Sequence, residues 1–352
     1  MLSRTGDPRK QAREAFAGAL ATFDTARSVV VLGHFDADGL TATAILVRAL
    51  RAAGRTAEAV IVGKGESPWD EAVGARLAAH APGGLVVTDL GTRAEPVLRG
   101  CPTVVIDHHV PTGDPQVTTI SGNGLDPEPT SALLAWWAAH ALGEVDDLLW
   151  LAAVGLIGDM GEGLGFPELT RAQERWGKTA LRDATSLINA PRRTAAADSS
   201  PALRLLLRGD GPKVITKGDD DDARALVAAK AEVRAAMEVA RRVGPKIAGD
   251  VALIPIDSPC QIHPLIAQQW RGRLGDKIVL AANVGYRPGW VHFAARSATG
   301  RDLITFLAEH RPPGADSRYG NGHAQATGGA LRHADWNRFV ADLGFPDQQV
   351  PA

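Results

Sequence analysis

Four short segments of this 352-residue chain hold acids and histidines at spacings that could do chemistry. They are His34-Phe35-Asp36-Ala37-Asp38-Gly39, Asp89, Asp107-His108-His109 and Asp159. Brought together, Asp36, Asp38, Asp89, Asp107 and Asp159 would crowd up to five negative charges into a small volume bordered by apolar strands. Like charges at short range and buried carboxylates are both unfavourable. Two divalent cations would offset four of those charges. Oxygen and imidazole donors without thiolate suit Mn²⁺, with Mg²⁺ as the alternative, better than a structural zinc. Two such ions about 3.5–4 Å apart make the usual clamp for hydrolytic attack at phosphorus. A single HxDxD or DHH stretch is more often a capped turn, so the inference rests on all four segments sharing one place.

The elements before each segment supply that place. Residues 28–33 (SVVVLG), 85–88 (LVVT) and 103–106 (TVVI) are continuous apolar runs rich in Val, the pattern of buried parallel strands. Residues 58–62 read as a further strand. Residues 40–53 and 69–80 read as helices between them. The βαβαβ rhythm predicts a parallel sheet with helices on both faces. His34, Asp89 and Asp107 each follow or close a strand, and ligands bind at the carboxyl edge of such sheets. Asp159 ends an apolar segment, within a largely helical stretch from Thr130 to about Asn189.

Beyond this half the pattern changes. Residues 191–201 (PRRTAAADSSP) lack apolar periodicity and read as the start of a linker, and 219–242 as one long helix with its acids at the N-terminal end. A smaller α/β domain follows, with strands at 251–256, 278–284 and 290–295, helices at 263–273, 302–310 and 335–343, and a glycine-rich segment at 320–329. The expected division is residues 1–190 as a catalytic domain, 191–245 as linker and connecting helix, and 246–352 as a substrate-binding domain.

Bulk composition narrows the classes. An apolar fraction of 45% with 22% charged residues is that of a folded globular protein, and no stretch approaches the length of a membrane span. The N-terminus has no apolar h-region, so a cytoplasmic location is expected. Net charge is −2, so nucleic acid would be met in a local groove rather than by a global basic field. Cys101 and Cys260 lie outside any CxxC pattern and are expected to be reduced. Residues 63–67 (GKGES) have the wrong spacing for a P-loop. Trp136 and Trp137 read as core, while Tyr286 and Trp290 are weaker candidates for base stacking.

In order, HFDADG, TDLG, IDHHVP and GLIGDMG resemble the four motifs of the DHH phosphoesterase superfamily. The stretch HFDADGLTATAILVRALR resembles the opening motif of RecJ-type exonucleases, and FAARS with YGNGHAQATGG resembles the DHH-associated C-terminal domain. The likeness spans about residues 29–331. It implies that His34, Asp36 and Asp89 bind one metal, and that Asp38, Asp89, His108 and Asp159 bind the other, with Asp89 shared. It further implies that His109 sits beside the phosphate, that Asp107 orients a histidine or a ligand, and that Arg296 and His323 hold substrate phosphate. Gly320 and Gly322 would let backbone N–H groups approach the anion. Asn321 departs from the family's glycine triplet, and its contacts to base or phosphate are expected to differ.

The implied reaction is Mn²⁺-dependent hydrolysis of phosphodiesters by activated water. The absence of residues for a strand-tracking OB-fold and the near-neutral charge favour short single-stranded RNA or DNA, as in nano-RNases. The alternatives are a RecJ-like exonuclease on single-stranded DNA, a cyclic- or linear-dinucleotide phosphodiesterase, and a pAp phosphatase. The nucleic-acid-type loop argues against a DHH pyrophosphatase, and the filled ligand positions argue against a non-catalytic scaffold. A homodimer is compatible with the sequence, which leaves polarity and DNA against RNA open.

Overall fold

The computed structural model describes Leu2, residues 6–316 and residues 319–351. Two compact units are present, one of residues 1–192 with 197–228, the other of residues 193–196 with 229–352. The segment 191–245 is thus divided between the units. Its residues 200–208 and 213–216 form helices that pack within the first unit.

The first unit opens with helix α1 (Pro8–Leu20), capped by Asp7, whose carboxylate accepts from Arg9 N–H. There follow β1 (Val29–Gly33), α2 (Ala37–Ala52), β2 (Ala57–Ile61), α3 (Glu71–Ala79), β3 (Gly84–Thr88), β4 (Thr103–Asp107) and β5 (Thr118–Ser121). The strands pair in the order β2-β1-β3-β4-β5, all parallel. Alternate strand residues serve opposite faces. Val29 and Val31 join the core that α2 covers, while Val30 and Leu32 pack with Val73 and Leu77 of α3. The apolar runs are continuous for that reason. The edge strand β5 was not apparent in the sequence, because only Ile120 and Ser121 of its four residues are buried.

Helices α4 (Ser131–Ala139) and α5 (Leu149–Gly158) are buried almost all round, and they pack on α2. They are followed by α6 (Pro167–Trp176), α7 (Lys178–Ile188), α8 (Ser200–Arg208), α9 (Lys213–Thr216) and α10 (Asp221–Ala240). The acidic start of α10 is used structurally. Asp222 pairs with Arg204 and Arg208 of α8, at 2.6 and 2.9 Å.

The second unit contains β6 (Lys246–Ala248), β7 (Val251–Ile256), α11 (His263–Arg271), β8 (Ile278–Arg287), β9 (Trp290–Ser297), α12 (Leu303–Glu309), β10 (Asn321–His323), β11 (Ala326–Arg332) and α13 (His333–Asp342). Its mixed sheet runs β10-β11-β9-β8-β7-β6, with only β7 and β8 parallel. One face carries Phe306, Trp336 and Phe339, the other Ile262, Ile266 and Ala267. The glycine-rich segment forms the β10–β11 hairpin rather than a loop. Trp136, Trp137, Tyr286 and Trp290 are all buried, and both cysteines are free thiols. No helix among the described residues is long and apolar enough to cross a membrane.

Candidate metal centre

The strand register sets the site. Gly33 lies beside Thr88, and Thr88 beside Ile106, so the next residues along the carboxyl edge are His34, Asp89 and Asp107. Asp36 is the N-cap of α2, accepting from Gly39 N–H at 3.1 Å, and Asp38 lies in the first turn of that helix. Asp159 follows the last turn of α5. His108 and His109 follow β4. The four segments therefore converge on one edge of one sheet.

The distances define two overlapping donor groups. His34 Nδ1 lies 3.2 Å from Asp36 Oδ2 and 3.6 Å from Asp89 Oδ2. His108 Nε2 lies 3.2 Å from Asp159 Oδ2, 3.6 Å from Asp89 Oδ1 and 3.9 Å from Asp38 Oδ2. Asp89 thus turns one carboxylate oxygen to each group. It is 3% exposed and has a positive φ of 62°, a backbone angle that costs energy for a non-glycine residue.

The donor set fits a divalent cation on a specific observation. His108 Nε2 is buried with no hydrogen-bond partner, yet it faces three carboxylates. Two ligand atoms each about 2.1 Å from one octahedral ion lie about 3 Å apart, close to these separations. Three donor triads have ligand atoms that all lie within 4.8 Å of one another: His34, Asp36 and Asp89; Asp38, His108 and Asp159; and Asp89, His108 and His109.

Electrostatics give the same result. Burial pulls the imidazole of His34 down, but Asp36 and Asp89 overcome it and raise its pKa to about 10. Burial also opposes the charge on His108, and Asp159, Asp89 and Asp38 raise it to about 12. Burial with the charges of Asp89 and Asp159 pushes Asp38 well above the carboxylate range. The cluster carries more negative charge than its walls can bear. Protons answer that excess in the absence of cations, and divalent ions would answer it when bound.

Several supporting residues escaped the sequence reading. The backbone N–H groups of Ser131 and Ala132, at the start of α4, donate to Asp38 Oδ2 and Oδ1 at 2.8 and 2.9 Å. The Ser131 hydroxyl donates to Asp89 Oδ1 at 3.0 Å. A helix N-terminus thus faces the acidic cluster and favours its charge. Thr130-Ser131 before an apolar run was a legible helix start, but its carboxylate partner is 93 residues away. Arg192, read as linker, donates to Asp36 Oδ2 at 3.2 Å. Against burial, the charge of His34 and then that of Arg192 hold Asp36 well below its usual range. Gly155 is a fourth such residue. A Cβ there would lie 2.4 Å from Ala132 Cβ and 2.6 Å from Asp38 Oδ1, so only glycine lets α5 approach this closely.

Asp107 is buried and belongs to none of the triads, but it contacts His109, a member of the third. Its Oδ1 accepts from the His109 backbone N–H at 2.7 Å and approaches ring Nδ1 at 2.9 Å, while Oδ2 accepts from Leu90 and Gly91 N–H at 2.8 Å each. The hydrogen bond to Asp107 raises the His109 imidazole to about 9 against burial. His109 remains 54% exposed at its side chain, open to a ligand. Asp107→Asn removes this charge and part of the acceptor set. It is expected to lower kcat about 10- to 100-fold, the usual cost of losing a supporting partner, with Mn²⁺ affinity nearly unchanged. Steady-state kinetics and a metal titration check this; an unchanged kcat contradicts it.

In the second unit Arg296 lies on β9 opposite Ala326, which in turn lies opposite His323. Arg296, Ala326 and His323 therefore share one row across the sheet. The side chains of Asn321 and His323 lie outside the described residues. Gly320 and Gly322 have φ of 80° and 136°, and a Cβ on Gly322 would lie 2.5 Å from Ala326 O. Asn321 takes an extended strand position, so its tolerance of left-handed angles is not called upon. The Arg296 guanidinium is half-buried and donates to Ala295 and Thr327 carbonyls. Nearby, His263 is buried, and its pKa is pushed down to about 3, by burial first and then by His292, Arg193 and Arg296. A positive field inside this unit is what an anionic group would meet. Arg193 was read as linker and gave no separate signal.

Residues 28–145 match the model of the DHH family, N-terminal domain. The chain carries a DHH domain. The whole chain is similar to the single-stranded-DNA-specific exonuclease RecJ of Thermus thermophilus, with 29% identity over 97% of this chain and 56% of the relative. The RecJ of Dickeya dadantii is 28% identical over 90% of this chain and 66% of its own length. The chain therefore spans roughly half to two thirds of these two relatives. A crystal structure of exonuclease RecJ bound to manganese superposes with a TM-score of 0.69 at 25% identity, covering 97% of this chain and 95% of that one. The α/β architecture with a parallel five-stranded sheet and a second sheet domain is that of the RecJ-like DHH fold.

Proposed function

We propose that this DHH chain is a metal-dependent phosphodiesterase of RecJ-like type, an exonuclease on single-stranded DNA that uses two divalent cations, Mn²⁺ foremost. One observation carries the reading. The likeness to RecJ exonucleases runs over 97% of the chain, second half included, rather than over the metal-site segments alone. It favours RecJ chemistry over the short-oligonucleotide reading that chain length and net charge suggested. A manganese-bound RecJ structure of similar extent weakens the length argument.

In this proposal His34, Asp36 and Asp89 hold one cation, and Asp38, Asp89, His108 and Asp159 hold the other. Bound there, the cations supply an acidified water and neutralise charge developing on the phosphoryl oxygens. Asp89 keeps the two donor groups in register through its separate oxygens. Asp107 fixes His109 through Nδ1, which leaves the opposite ring edge for the substrate phosphate or the leaving oxygen. Arg296 and the β10–β11 hairpin bind substrate phosphate from the second unit.

A hydrolysis panel in Mn²⁺ tests this, with DNA and RNA single strands from dinucleotide to 20-mer, both end chemistries, pAp and a cyclic dinucleotide. Degradation of long single-stranded DNA, with a clear dependence on salt, is the expected result. Turnover confined to substrates of two to five nucleotides, insensitive to salt, would favour the nano-RNase reading instead.

A further inference from the structure

The metal centre opens into a cleft of about 330 Å³ whose walls continue past His34, Asp89 and His109 to Val110, Trp69 and Arg93. Nothing in the metal chemistry uses that far end. The Arg93 guanidinium lies over the Trp69 ring, 4.2 Å from its centroid, and the indole is held at its edge by its Nε1–H, which donates to Glu95 O at 2.8 Å. Arg93 is exposed and has no carboxylate within ion-pair distance among the described residues. An unpaired cation at the rim of a cleft with several carboxylates would be expected to fold onto one of them. Here it is stacked instead on a ring that is itself fixed. Such stacking orients the guanidinium plane and leaves its N–H edge free, the arrangement suited to a phosphate.

We propose that Trp69 and Arg93 form a phosphate-holding arm of the catalytic cleft. The arm binds a second phosphate of the substrate strand, adjacent to the phosphodiester at the metal centre. The inference rests on the phosphodiesterase reading above and specifies which part of the strand this end of the cleft takes. Val110, 68% exposed and also lining the cleft, offers apolar surface to the intervening nucleotide. A substrate with one phosphate gains nothing from the arm, and a strand with two or more does.

The test compares bis(p-nitrophenyl) phosphate, which has one phosphate, with a DNA tetranucleotide, which has three linkages, in Mn²⁺. Tetranucleotide binding in Ca²⁺ serves as a readout independent of turnover. Arg93→Ala is expected to raise KM and Kd for the tetranucleotide about tenfold, to leave its kcat within twofold, and to leave the one-phosphate ester unchanged. Arg93→Lys should recover part of the loss. Trp69→Phe, which keeps an aromatic face, should lose less than Trp69→Ala. Equal losses on both substrates, or no change on the tetranucleotide, would overturn the arm. A wild-type protein that hydrolyses the ester but neither binds nor cleaves any oligonucleotide would instead defeat the functional reading on which the arm depends.

Discussion

Asp89→Ala is expected to abolish hydrolysis of every substrate, with kcat/KM falling by about a thousandfold or more, on the order of 4 kcal/mol of transition-state stabilisation. The size follows from geometry. Asp89 alone offers one oxygen to the His34 group and the other to the His108 group. Its loss therefore uncouples both donor sets at once, whereas losing Asp36 or Asp159 would empty one side of one set. The fold should survive, because the strands on either side remain paired and alanine removes a buried charge rather than apolar packing. Alanine keeps the Cβ that makes the positive φ at this position unfavourable and lacks the side chain that lets aspartate tolerate it, so a small loss of stability is expected from that source. Activity within tenfold of wild type in excess Mn²⁺, with an unchanged circular dichroism spectrum, would be incompatible with a shared carboxylate.

Gly155→Val is expected to cost at least about a hundredfold in activity although the residue touches no substrate. At that position even a Cβ would lie 2.6 Å from Asp38 Oδ1 and 2.4 Å from Ala132 Cβ, and valine adds two methyl groups to the conflict. Helix α5 must move away from α2 and α4, or Asp38 must leave the N–H groups of Ser131 and Ala132. Either movement displaces a ligand oxygen by more than a metal site tolerates. Overpacking of this kind also destabilises by about 1–3 kcal/mol, read as a lower Tm. Gly155→Ala, the milder variant, should stay folded and lose activity to a smaller degree. Gly163→Ala, where a Cβ meets nothing within 4 Å, is the control and should resemble wild type. A folded Gly155→Val that keeps activity within threefold would show that α5 does not set the position of Asp38.

The sequence made the first unit legible for a physical reason. Its strands are buried on both faces, so Val30, Val31 and Leu32 read as an uninterrupted apolar run, and the acids stand directly after such runs. Asp89 and Asp107 could be assigned to one sheet edge because parallel strands share a direction. The supporting contacts were not legible, because each joins residues far apart in the chain. Ser131 to Asp38 and Arg192 to Asp36 are separated by 93 and 156 positions, and no local pattern encodes either pairing. Asp107 shows the limit from the other side. Its residue type and place at a strand end match those of the proposed ligands; the motif resemblance alone sets it apart as an orienting residue, and in the structure its hydrogen bonds run to His109, Leu90 and Gly91. In the second unit the β10–β11 hairpin escaped notice because its glycines carry no hydrophobic alternation; the two with positive φ, Gly320 and Gly322, lie just before and within β10 rather than in the turn at residues 324–325.

The most direct test of the metal centre is a count of bound manganese. The chelated protein would be titrated with Mn²⁺ by calorimetry, with electron paramagnetic resonance on the loaded sample. Two ions per chain are expected in wild type, with a spectrum broadened by spin coupling between neighbouring ions, and no coupled pair is expected in Asp89→Ala. A wild-type protein that saturates at one ion, or that binds two without magnetic coupling, would contradict a centre built around a shared Asp89.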